Sequence, residues 1–263
     1  MKALFSPAGR QALREFVRDD LLCLFDFDGT LVPLEPHPDK VIVPEAVLDR
    51  LQRLQQRASV GIVTGRGLHD MHRMLAFEPD YLIGNHGIEG LPGWEQRVGA
   101  FETICAGWQQ QLQESMQSLG SEVWIEYKRY SLSVHFLHAS ERDAVARQLT
   151  QLFDRLMPQP RVISGKAVFN LLPPGASDKG GAVQALMALT RASRALYAGD
   201  DVTDEHVFAL GRPDLFSVRV GEGRETAADY FIPDPQAIVP LLDLLIDSLP
   251  GGRHHGRSSH TDP

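Results

Sequence analysis

At 263 residues, 43% of them hydrophobic and 23% charged, the chain can bury a large core and exceeds the usual length of one domain. A net charge of -8 argues against non-specific attachment to nucleic acid or to an anionic membrane surface. Two widely separated cysteines, Cys23 and Cys105, make no disulfide framework, and no apolar run reaches the length of a signal segment or membrane span, so a reducing, cytoplasmic setting is expected.

Residues 1–20 read as an amphipathic lead-in, with Leu13, Phe16 and Val17 on one helical face. The apolar run from Leu21 predicts a buried strand that ends in Asp26, Phe27, Asp28, Gly29 and Thr30. Alternation in an extended segment puts Asp26 and Asp28 on one side. Two anions that close require a cation between them or a shared proton, which predicts a metal site, an acid/base site, or both. Gly29 allows a steep turn after the strand. The prolines of VPLEPHPDKVIVP forbid a long helix and predict a surface loop, and Pro44 then opens a helix to about 56. A strand at 59–63 runs into Thr64, Gly65 and Arg66, a helix follows at 68–75, and a strand at 81–83 leads into Gly84, Asn85, His86 and Gly87. Strands and helices alternating in this way, with polar motifs at the strand ends, predict an α/β fold, a doubly wound, mostly parallel, Rossmann-like sheet.

From 89 to 166 the texture changes. A polar helix at 100–119, alternating segments EVWIEYK and SLSVHFL, a helix at 141–156 and a short strand RVIS predict an α+β insertion with one solvated sheet face. The α/β pattern then resumes, with a strand at 167–172, helices at 178–188 and from Thr203, a strand at 195–198, apolar LFSVRV and DYFIP, and a last helix at 235–248. The expected division is a core of 21–88 and 167–250, an insertion at 89–166, and a disordered Gly, Ser and His-rich tail at 251–263.

The carboxyl ends of parallel strands gather at one edge of a sheet, where ligands bind. Asp26, Asp28, Thr64, Asp200, Asp201 and Asp204 can therefore meet there. Lys179, at a helix start where anion binding is favoured, joins them ahead of its competitor Lys166. Read alone, GDDVTDE is equally an acidic turn with Thr203 or Asp204 as helix cap.

Together DFDGTL, VTGR, Lys179-Gly180 and GDDVTDE resemble the haloacid dehalogenase superfamily of phosphohydrolases. With EPHPDKVIVP, NHG, IEYK, GKAV and DKGGA, the chain over roughly 20–245 resembles the trehalose-6-phosphate phosphatases. The resemblance implies a core with an inserted cap that closes over substrate, and Mg2+ as cofactor. It implies Asp26 as nucleophile forming an aspartyl-phosphate, and Asp28 as general acid and then base, a role needing a carboxyl raised by crowded acids. Asp26, the backbone carbonyl of Asp28, and Asp200 would surround the metal, with Asp201 and Asp204 in support. Thr64 and Lys179 would hold the phosphate, with Gly65, Arg66, Asn85 and His86 beside them; His86 is expected to order its loop rather than act as a base. Glu126 and Lys128, two apart on a strand, would bind sugar hydroxyls. Two positions depart from the family pattern: Asn170 stands where a Glu is usual, and Leu137 where an Arg is common. Asn170 keeps hydrogen bonding but loses charge assistance.

The partner implied is a small sugar phosphate, with metabolic coupling to a trehalose-6-phosphate synthase, for a monomer that binds neither nucleic acid nor membrane. The rivals are a phosphatase for a sucrose phosphate or glycosyl-glycerate phosphate, and a catalytically dead sugar-phosphate sensor.

Overall fold

The computed structural model describes residues 1–35, 40–117, 119–120, 122–165, 167–222 and 225–251. The proline loop at 36–39, Lys166 and the tail from 252 lie outside these.

In chain order the elements are β1 (Lys2–Ala3), α1 (Pro7–Phe16), β2 (Leu22–Phe25), α2 (Glu45–Gln55), β3 (Ser59–Val63), α3 (Leu68–Met74) and β4 (Tyr81–Ile83), followed by α4 (Glu95–Gln117), β5 (Trp124–Tyr127), β6 (Leu132–His135) and α5 (Arg142–Phe153). Then come β7 (Arg161–Gly165), β8 (Val168–Leu172), α6 (Lys179–Thr190), β9 (Ala195–Gly199), α7 (Glu205–Phe208), β10 (Leu215–Val220), β11 (Tyr230–Ile232) and α8 (Ile238–Ser248). None of the described helices is long and apolar enough to cross a membrane.

Seven strands form a parallel sheet in the order β1-β11-β10-β9-β2-β3-β4. Strand β2 is central and apolar on both faces, because both faces are covered. Cys23 and Phe25 pack into the core shared with α1, α2 and α8, whereas Leu22 and Leu24 pack against α6 and α7. The chain moves outward from β2 through β3 to β4, then returns to build β9, β10 and β11 on the other side. The order therefore reverses between β2 and β9, which opens a crevice at their carboxyl ends. Cys23 and Cys105 are both buried and are not joined in a disulfide.

The second sheet is antiparallel, in the order β5-β6-β8-β7. One face is covered by α4 and α5 through Trp108, Leu112, Leu132, Val134, Leu149, Phe153, Phe169 and Leu171. The open face carries the alternate residues.

Three expectations are corrected. The strand expected at 167–172 belongs to this antiparallel sheet rather than to the parallel core, because it pairs with β6 and β7. Helix α4 starts at Glu95, before the expected 100, since Val98 and Phe101 join a small cluster with Tyr130, Ile163 and Leu172. The short turn at 202–204 is capped by Asp201, whose side chain takes the Asp204 N–H, while Asp204, although at the N-cap position of α7, makes no side-chain cap bond to that helix and takes the Asp201 N–H instead.

Candidate active site

The site grows from the end of β2. The Asp26 N–H donates to the Ala198 carbonyl at 2.8 Å, so its backbone is still pinned to β9 when the strand ends at Phe25. The chain then folds back, with the N–H groups of Leu31 and Val32 donating to the Phe27 carbonyl. Gly29 makes this possible. Its φ is +79°, and a Cβ there would lie 2.2 Å from Oδ2 of Asp200. The turn thus brings the first acidic motif against the third with no room for a side chain.

Asp26, Asp200 and Asp204 each present an oxygen within 4.8 Å of the others. Lys179, the first residue of α6, stands among them with Nζ 2.7 Å from Oδ1 of Asp26 and 2.7 Å from Oδ1 of Asp204. Its helix is capped by Asp178, which accepts from the Gly181 N–H at 2.8 Å. Asp204 is fully buried and held by three donors: Lys179, the Tyr197 hydroxyl at 2.6 Å, and the Asp201 N–H at 2.8 Å. Asp200 accepts from the Thr30 hydroxyl at 3.3 Å, while its carbonyl accepts from Arg219 at 2.6 Å.

Three carboxylates face one ammonium, and the excess charge shows in their titration. Burial pushes Asp26 well above the usual carboxylate range, with Asp204 and Asp200 adding to the shift and Lys179 opposing it. Burial and then Asp204 push Asp200 up to about 7. Burial alone would lower Lys179, but Asp204 and Asp26 hold it above its ordinary value. An all-oxygen, electron-rich cluster of this kind fits a hard divalent cation, which would take the place of the protons.

Asp200 makes the charge excess measurable in the metal-free chain. Its carboxyl ionises at 3.8 when unconstrained and at about 7 when folded, so between these values the folded state holds a proton that the unfolded chain has lost. Stability must then rise as pH falls through that window. The melting temperature of the metal-free protein is expected to carry this slope, and Asp200→Asn to flatten it. Identical slopes in both proteins would place the proton elsewhere.

Asp28 does not belong to this cluster. It forms a two-pronged pair with Arg66, whose Nε and Nη2 each lie 2.6 Å from a carboxylate oxygen. The expectation that crowded acids surround Asp28 is therefore corrected, because the chain turns at Phe27 and hands Asp28 to the β3 loop. Asp201 is likewise outside the three, serving as a cap instead. Thr64 is buried at the end of β3, and its hydroxyl oxygen accepts from the Arg66 N–H at 3.2 Å.

The open face of the antiparallel sheet lies over this edge. Lys128 Nζ donates to the Gly65 carbonyl at 3.3 Å, and Asn85 Nδ2 donates to the Lys128 carbonyl at 2.9 Å, with the Ser131 hydroxyl closing on Asn85 from the same hairpin. Glu126 shares Oε2 with His135 Nε2 at 2.9 Å and Lys128 Nζ at 3.6 Å. Although burial acts upward on Glu126, these two neighbours hold it below its ordinary value. The Asn170 carbonyl accepts from the Ser133 hydroxyl at 2.7 Å. His86 is buried at a φ of 59°, with neither ring nitrogen in hydrogen-bond geometry within the protein. Burial, Lys128 and Lys179 push its imidazole well below the ordinary range, and a pull from Asn170 only partly offsets them. A neutral, buried ring suits loop ordering better than proton transfer.

Tyr197 and His135 are site residues that the sequence reading missed. Tyr197 carried a usable signal, since a Tyr in a fully apolar strand needs a partner for its hydroxyl.

Residues 24–236 match the trehalose-phosphatase family. The trehalose-6-phosphate phosphatase of Escherichia coli (strain K12) is 30% identical over 242 residues, covering 89% of this chain and 90% of that protein. A bifunctional trehalose-6-phosphate synthase/phosphatase of Thermoproteus tenax is 29% identical over 235 residues, covering 85% of this chain and 32% of its own length. The solved C-terminal domain of the C. albicans trehalose-6-phosphate phosphatase superimposes with a TM-score of 0.72, covering 94% of this chain and 98% of that one at 21% identity, a likeness of fold. With a match over most of its length and its acidic motifs gathered at the sheet's switch point, the chain belongs to the trehalose-phosphatase family.

Proposed function

We propose that the protein is a Mg2+-dependent phosphatase that converts trehalose 6-phosphate to trehalose and phosphate through an aspartyl-phosphate. The observation that carries this reading is Asp26 itself, buried, paired with Lys179 and grouped with Asp200 and Asp204. A carboxylate oxygen of Asp26 attacks phosphorus, and the sugar oxygen departs with a proton from Asp28. Water then attacks the acyl-phosphate, returning its proton to Asp28 and freeing phosphate and Asp26. Both Asp28 oxygens accept from Arg66 in the resting chain, so Arg66 must release one of them as substrate binds for Asp28 to carry this proton. Two of the three Lys179 N–H bonds serve Asp26 and Asp204, leaving the third for a phosphate oxygen. Thr64 adds a hydroxyl, and Gly65, Arg66, Asn85 and His86 shape the loops around it.

Mg2+ would be held by Asp26, Asp200 and the backbone carbonyl of Asp28, with Asp204 and Asp201 in support, and would neutralise phosphate charge. The antiparallel layer acts as the cap, extended from the expected boundary at 166 to the end of β8 at 172. Its Glu126, Lys128 and Asn170 meet the sugar. In this reading the enzyme works as a cytoplasmic monomer, a setting suited to two buried cysteines outside any disulfide. The fused synthase of the T. tenax relative supports metabolic coupling to a trehalose-6-phosphate synthase.

Phosphate release from trehalose 6-phosphate, with and without Mg2+ and beside sucrose phosphate and glucose 6-phosphate, tests the reading. Release should require Mg2+ and favour the trehalose ester; comparable turnover of all three would sink the assignment. Glu126→Ala is expected to lower kcat/KM for trehalose 6-phosphate about 50-fold, the worth of one or two charge-assisted hydrogen bonds. Its effect on a small phosphate ester should be far smaller. Equal losses would take Glu126 out of the sugar site.

A further inference from the structure

Strand β5 sends Ile125 into the helix-covered core and Trp124, like Glu126, to the open face. Trp124 is 47% exposed, unusual for so large an apolar side chain, yet it is not loose. Its indole stacks on the imidazole of His135, its register partner, with ring centres 4.0 Å apart and planes 12° from parallel. The imidazole covers one face of the indole and leaves the other open. His135 is itself fixed, since its Nε2 donates to the Glu126 carboxylate, an acceptor only. Through Glu126, Lys128 and the Gly65 carbonyl, this aromatic pair is tied to the phosphate-binding edge. Two residues along a strand is about 6.8 Å, roughly the width of a hexose ring.

We propose that Trp124, backed by His135, is the platform for the second hexose ring of the substrate, with a C–H face of that ring against the open indole face. The proposal rests on the reading of the protein as a disaccharide-phosphate phosphatase. A pyranose offers two kinds of surface: hydroxyls around its rim and an apolar face. Glu126 and Lys128 suit the rim. Asn170 is buried with its side-chain carbonyl taken by Ser133, and Leu137 is apolar and exposed, so neither brings charge to the cap face. A rigid aromatic plane supplies area with little conformational entropy to lose, and a site with few charged contacts draws its selectivity from such packing.

Steady-state kinetics on trehalose 6-phosphate and glucose 6-phosphate, with Trp124→Ala and Trp124→Phe, test the platform. Trp124→Ala should raise KM for the disaccharide ester about tenfold, mostly sparing kcat and reducing its preference over the single-ring ester, and Trp124→Phe should recover much of the loss. An unchanged KM, or a loss shared equally by both esters, overturns the proposal. A titration with trehalose, read by tryptophan fluorescence, separates this outcome from failure of the proposed reaction because it needs no turnover. The wild-type protein should show a saturable change that Trp124→Phe abolishes, leaving Trp94 and Trp108 silent. No change in the wild type, or a change that survives the substitution, overturns the platform whatever ester the enzyme cleaves.

Discussion

Asp26→Asn is expected to abolish phosphate release, by at least about 10⁴-fold, while the protein stays folded. The amide keeps the shape of the carboxylate but cannot form the acyl-phosphate. The fold should survive because Lys179 retains Asp204 as a buried counter-charge at 2.7 Å, so no cation is stranded. Neutralising Asp26 also removes the repulsion from Asp204 and Asp200 that, with burial, pushes its carboxyl up. Kinetics paired with circular dichroism and a melting curve check both halves. Substantial residual turnover by a folded variant would mean that another group attacks phosphorus.

Lys179→Met should damage both stability and activity. It leaves Asp26 and Asp204 buried without their ammonium, and breaking a buried pair by deleting one partner costs about 3–5 kcal/mol. For a chain of this size that is a fall of roughly 10 °C in melting temperature. Protonation of the abandoned carboxylates should restore part of the loss on acidification, and Mg2+ should raise the melting temperature of the variant more than that of the wild type. Activity should fall as well, because the phosphate loses its fixed point charge. A variant that melts like the wild type at neutral pH would show that Lys179 does not balance these acids.

Much of the fold was legible because the signals are local. An apolar run between turn residues marks β2, and Val47, Leu51 and Leu54 at helical spacing mark α2, whatever lies elsewhere in the chain. The division between the sheets was less legible. VFNLL reads equally as a buried core strand or as a strand of an antiparallel layer, and only its pairing with β6 and β7 decides. The same limit applies inside the site. Asp26 and Asp28 look equivalent in DFDGTL, but one turn of backbone gives Asp26 to Lys179 and Asp28 to Arg66. GDDVTDE names four acids without ranking them, and the turn makes Asp201 a cap, Asp204 a buried acceptor of three hydrogen bonds, Asp200 the acid against Gly29 and Glu205 the partner of Arg219.

By itself the amino-acid sequence determined the alternation of strands and helices, the placement of acids, Thr64 and Lys179 at element ends, and the presence of an inserted layer, since each follows from residue types a few positions apart. Only the tertiary structure decided which acid meets which cation, which sheet β8 joins, and that Trp124 lies on His135 on the open face of the antiparallel sheet. Those outcomes depend on pairings between segments distant in sequence, and such pairings are chosen by packing and charge compensation across the whole chain.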